Sequence, residues 1–514
     1  MSGLVEIAKA LGLEVVAGPP GELRAAVDED EFADVALAIG KRAILGDLFA
    51  SETKGGAALT AVYSAIGDRG WLLLSTELTA GSFRSLTPRL HAASWYEREI
   101  KEMFGLQPEG HPAPIGLRLY GWPADLPPMV ADPRQIRAIG EPEPVDTIPQ
   151  VHGQGVFQLP LGPVRSGPQE SGEFLFNSGG EDLVMVSPRL GYKFRAVERL
   201  AESRDVEDVV LLAERLAGNS TLSNALAFAH AAERAMGVEP PEAARWSRTL
   251  LNELERLHGH LGQLGRVADA TGLSVGAAQY ALLKDEVLRV CGDLTGHRYL
   301  RGSIAIGGLN ASLATAGLVH LERSLTPWRR RSQRLATLLE DTATFVDRLD
   351  TTAVLPLQYA LQHNLVGPIG RSSGGDRDAR RDHPYASYGS VDFKVPVESD
   401  GDALARVRVL LSETDQSLHI LEQLLGSPRD GQVQVHWSAA ETVASGLGWA
   451  EAPGGETLHF VQVDRFGLVR RWRARPPACV NWHPFAYACT SGNNLTDYPV
   501  IEASFGLSHA EFDR

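Results

Sequence analysis

The sequence predicts an α+β protein: a small N-terminal α+β domain (residues 1–120), a proline-rich linker (121–150), and a larger domain (151–514) with a β-hairpin region and a core helical bundle. Three observations carry this. Short alternating apolar runs and turn signals fill the first 120 residues. Prolines and acids then crowd GWPADLPPMVADPRQIRAIGEPEPVDTIPQ. From Tyr192 to about Leu349 the apolar period becomes helical.

VEIAKALGL places its apolar residues on one face of a helix. AALTAVYSAI and WLLLSTEL are β-rich runs divided by the turn signal GDRG, and HAASWYEREIKEMFGL reads as a helix ending near Gly105. Proline density on the scale of 121–150 defeats both helix and ladder. GVFQLPLGPV and GEFLFNSGGEDLVMV return to strand-like alternation, with a hairpin about Ser178, Gly179 and Gly180. Long helical patterns follow, including VVLLAERLAG, LSNALAFAHAAERAMG and AAQYALLKDEVLRVCGDLTG. In the longest, Leu250, Leu254, Leu257 and Leu261 recur at helical spacing. Consecutive long helices with short connections imply a bundle. DALARVRVLLSETDQSLHILEQLL adds another helix. From Thr457 the tail reads as β, turning at Asp464–Gly467.

A net charge of −15 argues against nucleic acid as a partner, because phosphate recognition wants a basic face. The three cysteines, Cys291, Cys479 and Cys489, form no CxxC pair, and an odd count in so long a chain argues against a disulfide framework and for a reducing compartment. The first residues lack the basic and apolar regions of a secretory signal, and no apolar run is long enough to span a bilayer. Any membrane link is therefore expected to run through partners. His258 and His260 lie two apart, about 200° around a helix, and are expected to be ordinary helix histidines rather than a chelating pair. Gly374 and Gly375 are not followed by the GK[ST] of a phosphate loop, and no dinucleotide fingerprint is visible.

Trp95-Tyr96-Glu97-Arg98-Glu99-Ile100-Lys101-Glu102-Met103-Phe104-Gly105, then Glu109-Gly110-His111-Pro112, resembles the signature of complex I C-type subunits. Further stretches are similar to group 4 nickel–iron hydrogenase large subunits of the formate hydrogenlyase type, and to complex I D-type subunits. These are GYKFRAVERL, AERLAGNSTLSNALAF, LLNELERLHGHL, GHRYLRGSIAIGGL and GPIGRSSGGDRDARRDHPYASY. The resemblance covers nearly the whole chain, in the order of a C-type and D-type fusion. It implies that the N-terminal signature packs and docks rather than catalyses.

The departures from that pattern matter most. The family holds nickel through an early RxCGxC and a late CxxC, because thiolates are the soft donors such a centre needs. The early motif corresponds here to Arg215-Leu216-Ala217-Gly218-Asn219-Ser220, and the late one to Ser508-His509-Ala510-Glu511-Phe512-Asp513-Arg514. Ala217, Ser220, Ser508 and Glu511 thus stand at the four ligand positions, and no metal is expected in the chain. The polar clamps of the complex I quinone hairpin also differ: Gly162-Pro163-Val164 leads to Arg165, a later hairpin position is Glu173, and the tyrosine position is Gly218.

The resemblance implies that a charged set shares the pocket region: Arg165, Glu173, Arg195, Glu198, Glu214, Arg215, Ser220, Arg371, Asp376, Asp378 and Glu511. Mixed charges are costly to bury unless paired. Two outcomes compete. Either a salt-bridged plug fills the vacated space, or a carboxylate such as Glu511 or Glu173 carries a proton at a working site. The resemblance implies a large peripheral-arm subunit of a complex I-like oxidoreductase, without hydrogenase activity. It would lie beside a small iron–sulfur subunit, with Arg195 and Arg215 facing its cluster, and with membrane antiporter-like and anchor subunits completing the assembly. No cofactor is expected in this chain, although a quinone could bind. The expected place is the cytoplasmic face of the cell membrane. The alternatives are a redox-inactive coupling subunit and a quinone-reducing one.

Overall fold

Alternating apolar residues in the first hundred positions build one mixed sheet. The computed structural model describes residues 2–53, 55–120, 122–123, 125–130, 151–166 and 169–514. Strands β1 (Val16–Ala17), β2 (Glu22–Ala26), β3 (Ile44–Thr53), β4 (Gly56–Ser64) and β5 (Trp71–Leu78) assemble in the order β1-β2-β5-β4-β3. Within this sheet β2 and β5 pair in parallel and the other neighbours antiparallel. Helices α1 (Ser2–Ala10), α2 (Glu29–Gly40) and α3 (Ser94–Phe104) belong to the same domain, and Leu48, Leu59, Leu72, Leu74, Ile100 and Met103 share its core. α3 stops where Gly105 takes φ 74°, the left-handed conformation that glycine adopts without penalty. β6 (Ser82–Arg84) and β7 (Gln107–Glu109) form a short parallel pair beside α3.

The expected linker lies mostly outside the described residues, at 121, 124 and 131–150. Its described start is not a free spacer: Met129 is buried, and its N–H donates to the Met103 carbonyl at 3.0 Å.

The larger domain opens with a three-stranded sheet, β8 (Val156–Leu161), β9 (Glu173–Gly179) and β10 (Asp182–Arg189), in the order β10-β9-β8. The bundle is built from α4 (Val197–Ala201), α5 (Val206–Ala213), α6 (Thr221–Met236), α7 (Glu242–Ala270), α8 (Ser274–Thr295), α9 (Thr315–Asp341) and α10 (Ala343–Leu349), with β11 (Ile304–Ala305) and β12 (Gly308–Leu309) as a small ribbon. Short helices α11 (Leu357–Gln362), α12 (Gly367–Ser372) and α13 (Ala379–Asp382) precede the long α14 (Ala403–Gly426). α7 runs through the middle: Leu250, Leu254, Leu257 and Leu261 are buried, and so are Arg248, Glu253 and Arg256.

The tail differs from the expectation at both ends. An additional strand, β13 (Ala444–Ala452), joins β14 (Gly455–Val463) and β15 (Val469–Arg475) in one antiparallel sheet. Beyond Arg475 the chain is helical, in α15 (Ala478–Asn481), α16 (Phe485–Thr490), α17 (Tyr498–Phe505) and α18 (His509–Asp513). β13 packs flat on α6, and a Cβ at Gly448 would collide with the Ala227 carbonyl, so glycine permits the approach. Among the described residues no helix is long and apolar enough to cross a membrane.

Candidate functional site

Two short segments far apart in sequence meet at the N-terminus of α6. The first is the loop before α6, Arg215 to Ser220. The second is α18, whose N-cap is Ser508, with its hydroxyl accepting from the Glu511 N–H at 3.1 Å. Where they meet, the buried Ser220 hydroxyl donates to the Glu511 carboxylate. Asn224, one turn along α6, donates to the Ser220 carbonyl at 2.9 Å and also bonds Glu511.

Among the described residues no cation neutralises Glu511 directly. Burial pushes its pKa up to about 7, against the hydrogen bonds from Ser220 and Asn224. A second acid lies nearby on α7. Glu255 accepts from the Leu222 and Ser223 N–H groups at 2.6 and 2.8 Å, so it caps α6 from outside. Burial raises it to about 7 as well, and the charge of Glu511 adds to the effect. Asp513 is raised to about 6 by burial, while the N–H groups of Gly191 and Lys193 bond its two oxygens at 2.7 Å each.

Arg195 holds the two segments together. Its guanidinium donates to the carbonyls of Arg215 (2.5 Å), Leu216 (3.0 Å), Ala510 (2.6 Å) and Lys193 (3.1 Å). That commits its donors to backbone, making it a positioning residue. The Arg215 side chain is exposed beside Glu214 rather than inside. Ser508 also bonds the Glu170 carboxylate at 3.0 Å, from the loop between β8 and β9.

The expected charged set is not one pocket. Glu173 turns to Arg189 at 2.8 Å and to the Tyr192 hydroxyl at 2.7 Å. Arg165 forks onto Glu502 with two bonds of 2.6 Å. Arg371 and Asp378 join Arg256, Arg380, Glu253, Glu413 and Glu451 in a separate buried network, and Asp376 pairs with Arg381 at the surface. Glu198 anchors a third group: Arg514 (2.8 Å) and Arg471 (2.7 Å) reach it, and Arg514 bridges to Glu99 of α3 at 2.5 Å. Glu99 also takes Arg118 at 2.7 Å and Arg473, and Arg473 reaches Asp47 of β3 at 2.9 Å. The N-terminal signature is thus spent on packing. Glu102 accepts from the N–H groups of Leu117, Arg118 and Leu119, and Glu97 from Ser85, Leu86 and Thr87.

Sequence reasoning overlooked Asn224, Glu255 and Glu170. A signal existed for Glu255, a carboxylate embedded in the leucine-rich stretch NELERL.

A cavity of about 320 Å3 adjoins the loop at Gly218 and Asn219. Arg266, Lys284, Arg301 and His258 line it, and among the described residues no carboxylate does. His258 faces this cavity while His260 lies 3.4 Å from Glu413, so the two do not converge.

A nickel centre does not fit these residues. Ala217 offers no donor, the Ser220 hydroxyl is committed to Glu511, and Ser508 is committed to Glu170 and the Glu511 N–H. Cys291, Cys479 and Cys489 are free and buried, and burial pushes each thiol up, away from the thiolate a metal requires.

Comparison with known proteins places the chain. Residues 25–132 match the respiratory-chain NADH dehydrogenase 30 Kd subunit family, residues 277–446 the 49 Kd subunit family, and residues 195–263 the nickel-dependent hydrogenase family. Formate hydrogenlyase subunit 5 of Escherichia coli is 31% identical over 87% of this chain and 80% of its own length. The chain belongs to this hydrogenase and complex I large-subunit family. The C/D component of NADH-quinone oxidoreductase from a Sulfurihydrogenibium species is 27% identical over 84% of this chain and 83% of its own. A chain from the structure of the membrane-bound sulfane sulfur reductase, an archaeal respiratory membrane complex, superposes with a TM-score of 0.66 at 25% identity. It covers 70% of this chain and 99% of its own. The α+β fold is that of the family, and the chain is a hydrogenase-related, complex I-like oxidoreductase subunit.

Proposed function

We propose that this chain is the large peripheral subunit of a membrane-associated, complex I-like oxidoreductase, working without a nickel centre and holding a proton at Glu511. A small iron–sulfur subunit would lie against it and deliver electrons. Antiporter-like and anchor subunits would tie the assembly to the inner face of the cell membrane. The observation that carries the reading is the Ser220–Glu511 pair. At the meeting point of the two motifs stands a buried carboxyl with no counter-cation among the described residues, poised to change protonation near neutral pH. The cation-lined cavity beside it suits an acceptor that gains negative charge on reduction, a quinone among the candidates.

The test is Glu511→Gln in the intact purified assembly, with turnover measured against quinone and other acceptors across pH. A proton-holding role predicts a loss of about 100-fold or more, together with loss of the inflection near neutral pH. Unchanged turnover in a fully assembled complex would make the chain a redox-inactive coupling subunit. That reading draws on the Glu99–Arg473–Arg514–Glu198 network, which joins both domains. Nickel at one per chain would restore hydrogenase chemistry.

A further inference from the structure

Three histidines distant in sequence, and outside the carboxyl site, converge where the two domains meet. His91 opens a 3₁₀ turn, His91–Ala93, just before α3. His363 directly follows α11, and His483 lies between α15 and α16. One nitrogen from each comes within 4.8 Å of the other two. The His363 ring sits edge-on to both others, with centroids 4.7 Å from His91 and 4.3 Å from His483. Among the described residues no other group of three or more His, Cys, Asp or Glu side chains converges in this way.

The Nδ1 of His363 is the telling atom. It is buried, in a residue 7% exposed, with no hydrogen-bond partner among the described residues. A buried polar atom left unpaired is costly, so one that stands here points to something that satisfies it. Among the described residues no carboxylate joins the trio to favour a protonated ring. His91 is exposed and gives an entry path.

We propose that His91, His363 and His483 form a three-histidine site for a divalent transition metal of the zinc class, clipping the N-terminal domain to the C-terminal one. Neutral imidazoles are borderline donors suited to such ions rather than to magnesium or calcium. With Zn–N bonds of about 2.1 Å, a tetrahedral site needs nitrogens about 3.4 Å apart. The observed triangle, with its nitrogens within 4.8 Å of one another, has to contract to reach that size on binding, and the exposed side at His91 leaves the fourth position to water. The competing description is aromatic packing, since His483 also stacks on Trp95 at 4.9 Å.

The full chain, free of any histidine tag and stripped with chelator, is titrated with zinc by calorimetry and with cobalt(II) by visible spectroscopy. One equivalent is expected to bind, cobalt to give the intense bands of a tetrahedral site, and zinc to raise Tm. His91→Ala removes an exposed side chain, so it should fold, as circular dichroism would verify. It should weaken zinc at least ~10-fold, given that even outer-shell partners are worth ~10–100-fold. His436→Ala, an exposed histidine outside the trio, should leave binding unchanged. Absence of binding, binding indifferent to His91→Ala, or only the weak bands of octahedral cobalt would each overturn the proposal and leave the trio as packing.

Discussion

Glu511 and Arg514 lie within one turn of each other at the end of the chain, yet the acids around them are kept buried by opposite means. At Arg514, burial opposes ionisation of Glu99, but Arg118, Arg473 and Arg514 together hold its carboxyl well below the usual range. Glu198 is lowered likewise against burial by Arg471, Arg514 and Arg473. At Glu511 the donors in contact among the described residues are neutral, burial prevails, and the pKa rises to about 7. A paired acid has a fixed charge and can only hold parts together. An unpaired one has a charge that conditions can change. The first region therefore suits docking of the two domains, and the second suits proton exchange.

The largest effect should come from breaking the paired region. Arg473→Ala leaves Asp47 and Glu99 short of a buried counter-charge. Removing one partner of a buried ion pair costs about 3–5 kcal/mol. Denaturant unfolding should show a loss of that size, with the N-terminal domain melting first. A loss below ~1 kcal/mol would mean that apolar packing, not charge, joins the halves.

The unpaired region should reveal itself through pH. The folded pKa of Glu511, about 7, lies above the reference 4.5. Between those values the folded chain keeps a proton that the unfolded chain has lost. Stability from this group is therefore present in full below pH 4.5 and declines as pH rises to about 7. The total decline is about 3 kcal/mol, at roughly 1.4 kcal/mol per pKa unit. Glu511→Gln should remove that part of the slope in unfolding experiments from pH 5 to pH 8. Glu255 keeps its own contribution, so the remaining slope is not zero. A slope identical to wild type would mean that Glu511 is ionised throughout and paired after all.

Much of this architecture was legible because it is local. The α3 signature is contiguous, its end marked by Gly105, and the hairpin of β9 and β10 follows from alternation about Gly180. The Ser220–Glu511 meeting was legible only as two motif positions that a fold would have to unite. What escaped has physical reasons. β13 carries Gly446 and Gly448 because α6 presses on it, and glycines in a run argue locally against a strand. The helices after Arg475 are too short to show a period. Charges gave no sign of their partners: Arg371 pairs with Glu413, Arg165 with Glu502, and neither spacing means anything along the chain. His91, His363 and His483 share no motif: His363 and His483 are brought together by the fold of the larger domain, and His91 joins them from the N-terminal one.

The smallest expected effect tests whether the boundary between the two regions is drawn correctly. Glu173 stands on β9 with its carboxylate on Arg189 at 2.8 Å and on the Tyr192 hydroxyl at 2.7 Å, and its side chain is 22% exposed. An ion pair that water still reaches is worth about 1 kcal/mol, because solvent screens part of the attraction. Glu173→Gln keeps the hydrogen bond from Tyr192 and loses only the charge, so thermal unfolding should shift by less than ~1 kcal/mol. The same substitution in the assembled complex places Glu173 on one side or the other. A fall in turnover matching that of Glu511→Gln, with the same change in pH profile, would bring Glu173 into the proton-holding region despite its partners. Turnover that responds only to Glu511→Gln would confine proton exchange to the place where α6 and α18 meet.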